Sequence, residues 1–128
     1  MSGYLNDSTI WIQYSHGMRE AADFLASARR LGRVACSVIN MMEVIVGADD
    51  ARHQRTLENM FRTFEVLPIT EEDGWQAARL IKSKARSSGI GVADALIAAT
   101  AMREGLTVAT HNLKHFESIP GLKVIKPY

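Results

Sequence analysis

Five short apolar runs, separated by longer stretches of helical spacing, constrain this chain more than any other feature. The runs read GYLN, RVAC, EVLPI, LTVAT and LKVIK. Between the first two lies MREAADFLASARRLG, where Ala21, Ala22, Leu25 and Ala28 recur among charges and Gly32 ends the pattern, as in an amphipathic helix with a glycine stop. Ser37 then caps a helix over SVINMMEVIVGA that ends around Gly47. ARHQRTLENMFRTF carries Leu57, Met60, Phe61 and Phe64 on one inner stripe. Thr70 and Asp73 form a capping-box start for EEDGWQAARLIKSKARSSG. A last long helix runs from about Gly91 to Glu104 and stops at Gly105, and HNLKHFES reads as a short helix or a loop.

This alternation predicts an α/β fold with a short, mostly parallel sheet sandwiched between helices. Pro68 places EVLPI at a sheet edge or at a strand end. In such folds ligands gather beyond the carboxyl ends of the strands. Asp7, Ser37 and Asn112 each lie just after a predicted strand, so the sequence points to that edge.

At 128 residues the chain reads as one domain, 1–128, with enough length to bury a substantial core. No run approaches the roughly 18 apolar residues of a membrane span, and MSGYLNDSTIWI lacks the basic-then-apolar order of a secretion signal. The single cysteine, Cys36, excludes an internal disulfide and suits a reducing cytoplasm. Set in RVACSVI, it reads as a small core residue. A formal net charge of +1 does not advertise nucleic acid, so any groups that bind it must be local.

Three carboxylates sit in unusual places. Asp7 follows the first strand directly, where it is either an N-cap for the turn beginning at Ser8 or Thr9 or part of a site. Glu43 has Ile39, Asn40, Val46 and Gly47 as helical neighbours, none of them charged, whereas a solvent-facing glutamate usually keeps charged company. Asp94 opens the helix ALIAATAM, which is apolar on nearly all sides and therefore expected to be central. An aspartate there favours the helix's positive end, worth about 0.3–1 kcal/mol; it also lies near the sheet's carboxyl edge, where the three acids would converge. Carboxylates brought together raise one another's pKa, which a cation relieves. Oxygen donors with no cysteine suit Mg²⁺ or Mn²⁺, and such a site activates water for phosphodiester hydrolysis.

The order YLNDSTIWI, SVINMMEVIVG, VADALIAATAMREGLTVATHN and KHFESIPGLKVI resembles the PIN-domain family, in particular its VapC-type toxins. The resemblance spans nearly the whole chain. DALIAATA followed by GLTVATHN and FESIPGL is its most specific part. It implies a PIN-like three-layer sandwich and a Mg²⁺- or Mn²⁺-dependent endoribonuclease, inhibited by an antitoxin partner and often homodimeric. Asp7, Glu43 and Asp94 match the family's first three acidic positions. A fourth acid often follows the position of Asn112 by two or three residues; here the stretch reads THNLKHF, and His115 takes that place. Either three carboxylates suffice for one metal, or a second metal binds weakly through water.

Other residues keep two readings. His111 and His115 have zinc-ligand spacing on a helix but no third partner nearby. Thr110 and Asn112 either orient water or a carboxylate, or simply shape a turn. Arg79, Lys82 and Arg86 fall on one helical face leading toward Asp94, either as phosphate contacts for RNA or as a solvated face. Arg52 and Arg55 form a weaker candidate. Trp11 and Trp75 belong in a core or dimer seam more readily than in a base stack. Met41, Met42, Val44 and Ile45 exceed one helix face, and serve either the core or a subunit or antitoxin interface. A receiver domain requires paired acids after its first strand, and a haloacid-dehalogenase-like phosphatase requires Asp-x-Asp; Ser8 and Thr9 after Asp7 disfavour both. The remaining rival is a catalytically impaired PIN-like module that binds RNA or an antitoxin without cleaving.

Overall fold

The computed structural model describes residues 3–84 and 90–128. In chain order the elements are β1 (Gly3–Asn6), α1 (Ser8–Ser15), α2 (Arg19–Leu31), β2 (Arg33–Ser37), α3 (Val38–Val46) and α4 (Ala51–Phe61). They continue as β3 (Glu65–Leu67), α5 (Glu71–Lys84), α6 (Val92–Glu104), β4 (Thr107–Ala109), α7 (Leu113–Phe116) and β5 (Val124–Ile125). The strands form one sheet in the order β3-β2-β1-β4-β5, with every pairing parallel.

The period of two along each strand divides the interior into two halves. Leu5, Ala35, Leu67 and Val108 pack against Ala77 and Leu80 of α5, the alanine-rich body of α6, and Phe116 of α7. Val34, Cys36 and Ala109 face the other way, onto Ile10, Trp11, Leu25, Val44, Leu57 and Phe61 of α1 to α4. The result is the expected three-layer α/β sandwich. Because α6 is covered on nearly all sides, small residues run along it; Ala95, Ala98, Ala99 and Ala101 are all buried, beside Ile97. Gly105 ends it in the left-handed region at φ 67°, where a Cβ would be strained. Gly3 serves close approach instead, since a Cβ there would meet the Arg33 carbonyl oxygen at 2.6 Å.

The topology decides where a site can form. From β1 the chain moves outward through β2 to β3, then returns across α5 and α6 to β4 on the other side of β1. The order therefore reverses between β1 and β4, which opens a crevice at their carboxyl ends. The backbone N–H of Asp7 donates to the Ala109 carbonyl at 2.9 Å, so Asp7 leaves the ladder at that point.

Several boundaries differ from the sequence expectation. SerThr-IleTrpIle after Asp7 is a full helix, α1, where only a turn was expected. Its apolar residues Ile10, Trp11 and Ile12 are consecutive, so no amphipathic period marks it. α4 stops at Phe61; Phe64 lies beyond its end, yet still packs edge-on against Trp11 with ring centres 4.8 Å apart. LTVAT and LKVIK contribute only three and two ladder residues. Trp11 is a core residue whose Nε1–H donates to the Asn6 carbonyl at 2.9 Å. Trp75, by contrast, is 61% exposed and does not belong to the core of this chain. The capping box at α5 forms as expected, with the Thr70 N–H donating to Asp73 and the Asp73 N–H to the Thr70 hydroxyl.

Candidate active site

Asp7 caps a helix and is also held from beyond it. As the N-cap of α1 its Oδ1 accepts from the Ser8 N–H at 2.9 Å. The same carboxylate accepts from the Asn40 side-chain amide at 3.1 Å and, through Oδ2, from the Thr110 hydroxyl at 2.8 Å. Those donors come from α3 and from the end of β4, so Asp7 joins both sides of the crevice. An N-cap alone needs neither of them.

Asn40 is the centre of this polar cluster. It is fully buried in the otherwise apolar helix VINMMEVIV, and its orientation is set by Ser37. The Ser37 hydroxyl donates to Asn40 Oδ1 at 2.7 Å and accepts from the Asn40 N–H at 3.0 Å, which is also the N-cap bond of α3. Asn40 Nδ2 is thereby turned toward Asp7, the Ser8 hydroxyl at 2.9 Å and, more weakly, Glu43 Oε1 at 3.5 Å. The Ser8 hydroxyl donates to Glu43 Oε1 at 2.8 Å. Glu43, one turn after Asn40 on the same face of α3, is thus linked to Asp7 by two short polar bridges.

Asp94 stands in the first turn of α6, whose N-cap Gly91 supplies no side-chain cap. Burial pushes its carboxyl above the usual range; the Asp7 carboxylate adds to this, and His115 opposes it. His115 Nδ1 lies 2.9 Å from Asp94 Oδ2. His115 therefore sits beside the third acid as its hydrogen-bonding partner. Asn112 contributes its backbone N–H to the Thr110 hydroxyl at 2.9 Å, so it braces Thr110 rather than touching a carboxylate.

Among the described residues, no three His, Cys, Asp or Glu side chains are gathered tightly enough to enclose an ion. Zinc is disfavoured further by His111, which precedes α7 and packs edge-on against the Tyr128 ring at 4.7 Å while His115 turns to Asp94. The groups around Asp7 are carboxylates, hydroxyls and an amide. This donor set fits a hard cation that keeps several of its waters and takes one or two protein carboxylates. The pressure of Asp7 on Asp94 is what such a cation would relieve.

The basic stripe is only partly brought to this site. α5 runs antiparallel to α6, because Asp73 near its start meets Thr100 and Arg103 near the end of α6. Arg79 and Lys82 are exposed, and Arg79 donates to Gln76 and lines a recess with Ala99, Met102 and Arg103. Arg86 lies outside the described residues. Arg52 and Arg55 are exposed on α4. Val44 is core, Met41 and Ile45 are partly buried, and Met42 is 47% exposed. Burial pushes the Cys36 thiol up, which agrees with a core role.

Sequence reasoning missed Ser8, Ser37 and Asn40 as site residues. The signal was present for Asn40: an asparagine inside an apolar helix, three residues before an isolated glutamate, needs a buried partner.

A switch-point crevice edged by two aspartates and a glutamate, on a five-stranded parallel sheet between helices, defines the class, and the PIN-domain family matches residues 4–122: this chain belongs to that family. Within it the chain is of the VapC type. It is 38% identical over 120 residues to Ribonuclease VapC10 of Mycobacterium tuberculosis, a match covering 93% of this chain and 90% of that protein. It is 32% identical over 97 residues to the tRNA(fMet)-specific endonuclease VapC of Salmonella typhimurium, covering 72% and 74%. Among solved structures, a toxin–antitoxin complex from Klebsiella pneumoniae superposes with a TM-score of 0.82 at 31% identity, covering 98% of both chains.

Proposed function

We propose that this chain is a metal-dependent endoribonuclease, the toxin of a toxin–antitoxin pair, with Asp7, Glu43 and Asp94 holding a Mg²⁺ or Mn²⁺ ion directly or through water. The observation that carries the reading is the polar cluster that holds Asp7 from both sides of the crevice and ties it through Ser8 and Asn40 to Glu43. RNA as substrate and an antitoxin as partner come from the relatives' names and from the Klebsiella complex. No helix among the described residues is long and apolar enough to cross a membrane. A cytoplasmic site of action belongs to the same reading, as does a homodimer; Met42 and Val46, one turn apart on α3, are 47% and 84% exposed.

When bound, a divalent cation lowers the pKa of a coordinated water and stabilises the oxygens of an in-line phosphoryl displacement. The chain's own residues prepare for that chemistry. Thr110 and Asn40 fix both oxygens of Asp7, Ser37 fixes Asn40, and Ser8 steadies Glu43. Such pre-set positions matter because the supporting partners of metal ligands commonly govern affinity by about 10–100-fold. His115 steadies Asp94 and supplies a proton-bearing ring beside it. Arg79 and Lys82 are the candidate contacts that lay an RNA backbone along α5, and Arg86, outside the described residues, is a third candidate by sequence alone.

The catalytically impaired alternative draws on one observation, the absence of a closed three-ligand cluster among the described residues. Incubating purified protein with total cellular RNA separates the two. Discrete cuts with Mn²⁺ or Mg²⁺ that vanish in chelator are expected. Cuts that persist in chelator would remove the metal from the account, and no cuts under any metal would favour the impaired module.

A further inference from the structure

A cavity of about 270 Å³ opens directly beside the site, with Glu43 in its wall. Ile12, Val44 and Leu57 give it apolar sides, and Asp49 and His53 bring polar groups to it. Val44 and Leu57 are themselves buried and form part of the core, so these walls are fixed. Ser15 and His16 complete a mixed lining in which polar groups that can fix a ligand's orientation stand beside apolar ones.

The hydrogen bonding of His53 sets what the cavity offers. Its Nδ1 accepts from the Asp49 backbone N–H at 3.0 Å. An accepting Nδ1 carries no proton, so the ring proton resides on Nε2 and that atom is a donor. The Asp49 carboxylate, 3.6 Å from Nδ1, lies beyond hydrogen-bond range and stays open to other donors, being 90% exposed. The backbone of His53 is anchored as well, since its N–H donates to the Asp50 cap at 2.8 Å.

The cavity thus presents an imidazole donor and a carboxylate acceptor against apolar walls, next to a candidate catalytic glutamate. Two carboxylates in the lining, Glu43 and Asp49, repel a phosphate, whereas an uncharged heterocycle suits the apolar sides. A base with an exocyclic amino group gives a hydrogen bond to Asp49 and accepts one from His53. Uracil offers the same donor–acceptor pair through N3–H and O4, so the pair recognises a base edge without choosing among the four bases. We propose that this cavity is a nucleobase subsite, holding the base beside the cut phosphate. The inference rests on the ribonuclease reading.

The test uses the four ribonucleosides as probes, because without a phosphate they report on the base alone. Amide resonances of Gly47, Asp49, His53 and Leu57 are followed by NMR as each is added to the wild-type chain. Saturable shifts at these residues are expected for at least one of the four ribonucleosides. His53→Phe keeps a flat ring but no donor and is expected to weaken binding by about fivefold, and Asp49→Ala, which removes the acceptor, by a similar factor. Shifts absent from these residues, or equal affinity in folded His53→Phe, would overturn the subsite. A second arm maps cut positions in RNA. Wild-type cleavage with a base preference unchanged in His53→Phe would overturn the subsite and leave the ribonuclease reading standing. Nucleoside binding at these residues without any RNA cleavage would support the subsite and count against that reading alone.

Discussion

Asp94→Asn is expected to lower metal-dependent RNA cleavage by at least about 100-fold, the scale on which losing one charge-stabilising group from a pre-set site is felt. The fold should be nearly indifferent. Burial raises the Asp94 carboxyl, with Asp7 adding to it, so the ionised form is disfavoured in the native state and its cost to stability grows as pH rises through the raised pKa. Asparagine has the same shape and removes that cost. Against this stand a lost helix-terminus interaction of about 0.3–1 kcal/mol and a hydrogen bond to His115, whose side chain is 53% exposed. These terms oppose one another, so the melting temperature should stay within a few degrees of wild type at pH 7. Rates on a labelled RNA, read beside thermal melts, check both halves. Cleavage at the wild-type rate would remove Asp94 from the chemistry, and a large drop in melting temperature would give it a structural role instead.

Arg103→Ala is expected to produce a large loss of stability at a position outside the site. Asp73 is 1% exposed, and its carboxylate takes hydrogen bonds from Arg103 Nε at 2.9 Å and 3.2 Å. Arg103 also donates to the Pro68 carbonyl at 2.9 Å, tying the end of β3 to α6. Removing the guanidinium leaves a buried charge with only Thr70 and Thr100 to meet it. Breaking a buried pair in this way costs about 3–5 kcal/mol. Arg103 keeps a side-chain exposure of 27%, which places the expected loss near the lower end, about 3 kcal/mol. For a chain of this length that is a fall of roughly 10 °C in melting temperature.

The pH dependence of this effect follows from Asp73. Burial alone would raise its carboxyl, but the Arg103 and Thr70 hydrogen bonds and the Arg103 charge outweigh it and leave the pKa lowered. A lowered carboxyl binds fewer protons in the native than in the unfolded state. Its stabilisation is therefore full above the unfolded value of about 3.9 and declines as pH falls below it. The gap in melting temperature between wild type and Arg103→Ala should be widest near pH 7 and shrink toward pH 3. A gap that stays constant over that range would show that Arg103 acts through packing alone.

The two kinds of residue in these predictions were not equally visible in the sequence. The acids could be found because each violated a local rule: Asp7 stood directly after a strand, Glu43 had no charged neighbour on its helix, and Asp94 opened an apolar helix. The capping box of Thr70 and Asp73, the glycine stop at Gly105 and the switch from period two to helical spacing are local as well, and the elements they mark are where the spacing puts them. What holds the acids in place is not local. Thr110 reaches Asp7 from 103 positions away, and Ser8 reaches Glu43 from 35, through contacts that only the sheet order creates. Ser37 was legible as a cap, but its second bond, to the Asn40 side chain, was not. α1 escaped notice for the opposite reason: with Ile10 and Trp11 buried and Ile12 half-exposed in succession, it has no clean amphipathic period to read. His115 kept its place in the reading but changed its part, from substitute for an acid to partner of one.

The central claim is that three carboxylates from β1, α3 and α6 form one cation site. Mn²⁺ binding measured by electron paramagnetic resonance tests it most directly, with wild type compared against Asp7→Asn, Glu43→Gln and Asp94→Asn. The account predicts saturable binding to wild type that weakens by about tenfold or more in each folded variant. Wild-type affinity retained in all three variants would contradict it.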